Sequence, residues 1–153
     1  NPNQYVDQIV NINISKEVRC GREMAVSYRR SKAEAYEYAG SAIEYKKIVC
    51  PNHYDLWWGV FSQEVLVGYI RLRRNGNYVL FAQILGHGDF LPKNIMYNLH
   101  FSILEWLLES GDERAQGVQY VIYAAWESGG EGLQRWKRKL GFKPGYFKTV
   151  IGR

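Results

Sequence analysis

The chain predicts an α/β (α+β) domain, a mixed central sheet with helices packed on it. Three observations carry that reading. Asn75-Gly76 is the strongest short hairpin signal in the chain and joins two strand patterns, Val65 to Arg73 and Asn77 to Leu85. Pro92 to Ser110 is one long, mostly apolar helical pattern that follows a glycine-containing loop. Val118 to Ala125 is rich in β-forming residues and leads to a second helical pattern, Glu131 to Leu140. Strands joined through helices pair in parallel, so the C-terminal half is expected to hold the parallel part of the sheet.

In chain order, Tyr5 to Ile14 partly alternates and is predicted as a first strand, with a turn or loop at Arg22 to Met24. Ser31-Lys-Ala-Glu34 and Ser41-Ala-Ile-Glu44 each match a capping box. They predict helices over 31–39 and 42–49, broken near Gly40 and closed by Cys50-Pro51. Asp55 to Phe61 is a strand ending in the turn Ser62-Gln63-Glu64. With the two strands around Asn75-Gly76 it makes an antiparallel meander. In the long helix, Asn98, Ser102, Glu105 and Glu109 form one polar stripe, so the helix is expected to be largely buried, with Gly111 ending it. The helix Glu131–Leu140 is predicted to bury Leu133, Trp136 and Leu140 and to expose Arg135, Lys137, Arg138 and Lys139. Phe142 to Ile151 is a last strand interrupted by Pro144-Gly145. The order is β-α-α-β-β-β-α-β-α-β.

The 153 residues fit one domain, 1–153, and 46% hydrophobic with 23% charged residues is ordinary for a globular core. No apolar run approaches the roughly 20 residues of a membrane span, and no signal peptide is visible, so a cytoplasmic protein without a membrane partner is expected. A start at Asn1 rather than Met is what a processed or excised fragment shows. Cys20 and Cys50 build no zinc-type cluster, and two free thiols are expected. A net charge of +5 favours acidic partners such as a polyphosphate cofactor, nucleic acid or an anionic surface. The basic residues are dispersed, so an ordinary basic globular protein is an equal reading.

Several phrases match a known pattern. Gln134-Arg-Trp-Lys-Arg-Lys-Leu-Gly-Phe-Lys143 has a closing helix that runs into Leu-Gly-Phe, and Val65-Leu-Val-Gly-Tyr-Ile70 has the form of a third strand. With the element order, these residues resemble the Gcn5-related N-acetyltransferase (GNAT) superfamily over about residues 31–148. Gly132-Leu133-Gln134-Arg135-Trp136-Lys137 also resembles the Gly-Leu-x-x-Phe-Lys phrase of FemAB-like acyltransferases. The resemblance implies a GNAT-like sheet and an acetyl-CoA or other acyl-CoA cofactor. It implies direct acyl transfer to a small-molecule or peptide amine. The family's cofactor signature, Gln/Arg-x-x-Gly-x-Gly/Ala, is matched literally by Gln83-Ile-Leu-Gly86-His-Gly88. Counting back from the helix end places it instead at Leu91-Pro-Lys-Asn-Ile-Met96, with Asn94 and Met96 where the glycines stand. Helix N-terminal amides bind phosphate, which favours the second placement.

The implied cofactor-binding residues are therefore Ile84, Leu85, Gly86, Pro92, Lys93, Asn94, Ile95, Met96 and Lys137. A backbone N–H near Ile84 to Gly86 would serve the oxyanion. Proton acceptors would come from His87 first, then Asp89 and Glu127, although polar residues in a tight loop more often bond its backbone. Lys137 stands where the family has a thiolate-protonating Tyr, with Tyr123 and Tyr146 as substitutes. His100 reads as a packed histidine and His53 as a loop residue. On the acceptor side the resemblance places Arg22, Glu23 and one of the pair Trp57-Trp58, which must face opposite sides of a strand; Trp57 is assigned to the pocket. A non-catalytic binding module is the alternative. A nucleic-acid-associated protein ranks last; Arg71, Arg73 and Arg74 on one hairpin motivate it.

Overall fold

The computed structural model describes residues 1–19, 22–24, 47–123, 126–127 and 130–146. Their elements are α1 (Val6–Ile14), β1 (Val18–Arg19), β2 (Arg22–Glu23), β3 (His53–Ser62), β4 (Val65–Asn75), β5 (Tyr78–Gly86), α2 (Ile95–Glu109), β6 (Tyr120–Ile122) and α3 (Glu131–Lys139). Two two-residue turns set the main sheet. Gln63 and Glu64 both take positive φ between Ser62 and its partner Val65. Gly76, at φ +63°, opens the loop between Asn75 and Tyr78, a conformation glycine adopts without strain. The meander β3-β4-β5 is antiparallel as expected, and β6 joins it in parallel on β5, giving the order β3-β4-β5-β6.

The first predicted strand is a helix. Asn1 caps it, accepting from the Asn3 N–H at 3.1 Å, and Pro2 follows at the first helical position of a 3-10 turn, Pro2–Tyr5, that runs into α1. The alternation of Asn11 to Ile14 is outweighed by burial. Ile9 and Ile12, one turn apart, pack on Leu66, Tyr69 and Leu85. Each fully buried side chain of this size contributes about 1.5–3 kcal/mol. The polar residues that flank them also find partners on the sheet. Gln8 accepts from the Leu66 N–H at 2.6 Å, and Asn13 accepts from the Tyr69 hydroxyl at 2.8 Å. Arg22 to Glu23, expected as turn or loop, pairs with Val18–Arg19 as a two-stranded ribbon.

The opposite sheet face carries α2. Its buried residues, Ile95, Met96, Leu99, His100 and Ile103, meet Ile70, Leu72, Val79 and Phe81, and Leu140 from the end of α3 joins them. The expected polar stripe is exposed, but so are Phe101 and Leu108, the latter at 82%. Phe101 and Leu108, seven residues apart, share the helix face turned away from Leu99 and Ile103, whereas Trp106 and Leu107 still pack on the core. The helix begins at Ile95 rather than Pro92, because Gly88–Lys93 is a 3-10 helix and Asn94 takes a left-handed φ of +58°. The strand expected at 118–125 is only Tyr120–Ile122, and it lies at the end of the sheet among the described residues, not at its centre. His53 begins β3 and is not in a loop. Residues 142–146 form no strand. The rest of that prediction and the helix at 31–39 lie outside the described residues, and of the helix at 42–49 residues 47–49 are described and are not helical.

One buried charge ties the far end of the sheet together. Arg74 is 3% exposed, and among the described residues no carboxylate pairs with it. Its Nε donates to Gly76 O at 2.9 Å, and its two terminal nitrogens donate to Arg114 O and Gln116 O, both at 2.6 Å. The guanidinium fork thus holds the turn after β4 to the loop that delivers β6. Arg74→Met removes all three bonds; Arg114 O keeps the Tyr54 hydroxyl as a donor, and the carbonyls of Gly76 and Gln116 lose the Arg74 bond. The expected loss is about 3 kcal/mol of unfolding free energy in urea titration, with Arg74→Lys recovering only part of it.

Candidate functional site

Among the described residues the parallel ladder of β5 and β6 pairs Tyr78–Leu80 with Tyr120–Ile122, and β5 continues alongside β4 to Gly86. The candidate cofactor residues gather at this strand end and in the loop that follows. Ile84 packs toward the α2 core while Leu85 is buried against α1, as alternate strand residues must be. Gly86 and its cross-strand partner Gly68 both lie under Met96. A Cβ on Gly86 would meet Met96 Cγ at 2.9 Å and Leu91 Cδ2 at 2.8 Å, and one on Gly68 would meet Met96 Sδ at 2.8 Å. Pro92, Lys93 and Asn94 are exposed, whereas Ile95 and Met96 are buried in the core. Neither Ile95 nor Met96 therefore projects over the helix start. Asn94 adopts the left-handed conformation that glycine would take most easily, and asparagine is among the few other residues that tolerate it.

The first intrahelical bond of α2 runs from the Asn98 N–H to Asn94 O at 3.1 Å. No side chain caps the preceding amides, and no acidic residue stands in the first turn. His87 closes the other end of the loop. Its N–H donates to Val67 O at 2.7 Å, and its Nδ1 accepts from the Asp89 N–H at 3.3 Å as the cap of the 3-10 helix. That bond assigns the neutral proton to Nε2. The ring is one-quarter exposed and edge-on to Phe90, 5.6 Å away. Asp89 is 86% exposed, with a carboxylate oxygen 3.9 Å from His87 Nδ1. The structure thus brings His87, Asp89 and 92–94 into one loop, with His87 bonding that loop's backbone.

The N-terminal segment clamps this loop, which the sequence reading missed. Arg19 donates to Gly86 O at 2.5 Å, to Ile12 O at 2.9 Å and to Ser15 Oγ at 3.1 Å. Ser15 Oγ in turn accepts from the Gly88 N–H at 2.9 Å. Arg19 belongs to β1, so the same contacts dock the ribbon that holds Arg22 and the exposed Glu23 beside the strand end. The readable signal was the Asn1-Pro2 cap. A helix there puts Ser15 and Arg19 just past its end.

Lys137 is not on the exposed basic face of α3; it is 0% exposed. Its Nζ donates to Trp126 O at 3.3 Å and lies 5.5 Å from the Tyr123 ring centre. Burial lowers its pKa, against the charge of Glu127, which raises it. Glu127 itself is exposed in the turn after β6. Beside Lys137 runs an aromatic cluster. His100, 0% exposed, lies over Tyr123 and meets Phe81 and Trp136 at 5.0 and 5.6 Å. His100 Nδ1 is 2.5 Å from Met96 O, and burial pulls the imidazole toward its neutral form more strongly than that carbonyl opposes it. His100 is the packed histidine expected. Tyr146 is fully exposed.

Trp57 and Trp58 face opposite sides, as required. Trp58 packs on Trp106 at 5.4 Å in the α2 core, and Trp57 lies against Tyr69 at 5.5 Å with Arg71 over its ring at 5.8 Å. The hairpin arginines do not form a free cationic patch. Arg71 and Arg73 both bond Asp55, at 2.6 and 2.9 Å, and Arg74 is buried. Burial raises the Asp55 pKa, but the two arginines outweigh it and hold the carboxyl below its ordinary range. Cys50 is a free thiol, and no group of three or more potential metal ligands occurs among the described residues. No described helix is long and apolar enough to cross a membrane. No family model, curated protein or solved structure matches the chain.

The depressed Lys137 pKa carries a signed consequence. Between that value and the ordinary 10.5, the unfolded chain binds a proton that the folded chain does not. Stability therefore gains from Lys137 as pH rises through this window. Urea titrations at pH 7, 8.5 and 10 are expected to show wild type more stable relative to Lys137→Met at pH 10 than at pH 7; a constant difference between the two would overturn the downward shift.

Proposed function

We propose that the chain is an acyl-CoA-dependent N-acyltransferase of the GNAT type, transferring an acyl group directly to a small-molecule or peptide amine. The observation that carries this reading is the course of β5, which pairs in parallel with β6, runs on to Gly86 and leads through one loop to the start of α2. Ligands of α/β sheets sit outside the carboxyl ends of parallel strands, where a helix N-terminus follows. The residues fit a pyrophosphate. The amides of Ile95 to Tyr97 precede the first intrahelical bond, Asn94 supplies the left-handed turn and is exposed, and Lys93 is exposed beside it.

Bound acyl-CoA would supply an acyl group activated as a thioester. The α2 amides and Lys93 would hold its phosphates. His87, whose Nδ1 is occupied as an acceptor, has Nε2 left as a donor and suits stabilising a carbonyl oxygen better than taking a proton from the amine. The exposed carboxylates of Asp89 and Glu127 are then the proton acceptors, and the buried amine of Lys137 is the proton donor to the leaving thiolate. Arg22, Glu23 and Trp57 would border the acceptor. One specific observation favours the second reading, a non-catalytic binding module: Met96 and Leu91 cover Gly86, and Lys137 has no exposed surface.

Calorimetric titration with acetyl-CoA decides between them. Micromolar binding is expected, weakened about tenfold or more by Asn94→Glu, which sets a carboxylate against the phosphates. In an acyl-transfer assay His87→Ala is expected to lower kcat by about 10²-fold with little change in KM. No heat and no thermal shift at millimolar acetyl-CoA would remove the transferase reading and leave the binding module.

A further inference from the structure

Cys50-Pro51-Asn52-His53 is a second constellation, outside the site just described. Pro51 presets the turn, and the His53 N–H closes it on Cys50 O at 3.2 Å. A turn closed this way sets its first and fourth side chains beside each other. Cys50 Sγ lies 3.3 Å from His53 Nδ1. The turn is fixed from outside as well. The Gly76 N–H donates to Asn52 O at 2.8 Å, and the hydroxyl of the next residue, Tyr54, donates to Arg114 O at 2.5 Å. The pair is therefore held in register by the sheet rather than by its own bond alone.

Cys50 also lines a cleft of about 500 Å³, with residues 48–51 on one wall and Asp112, Glu113 and Arg114 on the other. The far wall is rigid, since Arg114 holds Asp112 through its Nε at 2.9 Å and Nη2 at 2.5 Å. That pairing keeps the carboxylate of Asp112 well below its ordinary pKa and leaves the wall charged on both signs. The thiol is free and partly exposed. A sulfur nucleophile, a base within hydrogen-bond reach of it and an open cleft at the sulfur are the parts that thiol chemistry needs.

We propose that Cys50 is a reactive thiol, with His53 as its proton acceptor, that exchanges with small-molecule disulfides in this cleft. The thiol proton passes to His53 Nδ1 as Sγ attacks one sulfur of the disulfide. A new Sγ–S bond forms, the original S–S bond breaks, and its electron pair leaves on the second sulfur as a thiolate. The protein gains a mixed disulfide, no net oxidant is consumed, and excess small thiol reverses the step. The site is independent of the acyltransferase reading and stands if that reading fails.

The probe is 5,5′-dithiobis(2-nitrobenzoate) at pH 7, added to the full chain carrying Cys20→Ser, with the released aromatic thiolate followed by absorbance. One equivalent per chain is expected, absent when Cys50→Ser is added, and slowed about tenfold or more by His53→Gln. A rate within twofold after His53→Gln, or no release from Cys50, overturns the proposal. Unfolding the Cys20→Ser chain in urea removes the geometry without a further substitution. Slower reaction on unfolding is expected, and an equal or faster rate also overturns it.

Discussion

Gly68 and Gly86 face each other across β4 and β5, and the space their missing side chains leave is taken by Met96. This contact fixes where α2 can begin. A Cβ at either position would stand inside 3 Å of the Met96 side chain, so the helix start would have to lift from the sheet or the methionine would have to turn away. Because Met96 lies in the first turn, its seat on the glycine pair sets the height and the position of the uncapped amides relative to the end of β5. The loop between them is then committed. It must leave the sheet at His87 and return at Ile95, and a 3-10 turn with one left-handed residue spans that distance.

The opposite end of β5 depends on a different kind of force. Among the described residues the Arg74 guanidinium has no counter-charge; its desolvation is offset by three short bonds to carbonyls of the turn and of the loop before β6. Dispersion and shape act at one end and charge-assisted hydrogen bonding at the other. The charge-assisted end is also where β6 enters the sheet, since Gln119 and Tyr120 both donate to Asn77 O.

The meander, the parallel strand after a helix and the apolar faces of α2 and α3 were legible because each is a local pattern: Asn75-Gly76, the run of β-formers at 118–122, and residues repeating every three or four positions. The errors have tertiary causes. Residues 11–14 alternate by chance, and the helix there is decided by its cap and by a groove that Leu66, Tyr69 and Leu85 form some 50 residues later. Lys137 lies on a basic helix surface in any helical projection, and only the Tyr123 and Trp126 rings around it make it a buried group. The clamp of Arg19 and Ser15 on Gly86 and Gly88 was unreadable for the same reason, since it needs α1 to be a helix first. The Cys50-Pro51-Asn52-His53 spacing was readable in the sequence and was missed there.

The candidate loop has a consistent polarity that no single residue reveals. Four of its acceptors are occupied. Gly86 O takes Arg19, His87 O takes the Phe90 and Leu91 amides, His87 Nδ1 takes the Asp89 amide, and Leu91 O takes the Asn94 amide. Among the described residues no side chain caps the amides that begin α2, and the exposed Lys93 ammonium rests 4.7 Å from the Phe90 ring centre. Asp89, the carboxylate within the loop, is almost fully in solvent where water screens it. Donors already in place need no reorientation when an electronegative group arrives, and that is the sense in which this loop is preorganised. The Arg19 bond belongs to the same arrangement, because it occupies Gly86 O, a carbonyl that would otherwise present negative charge at the strand end.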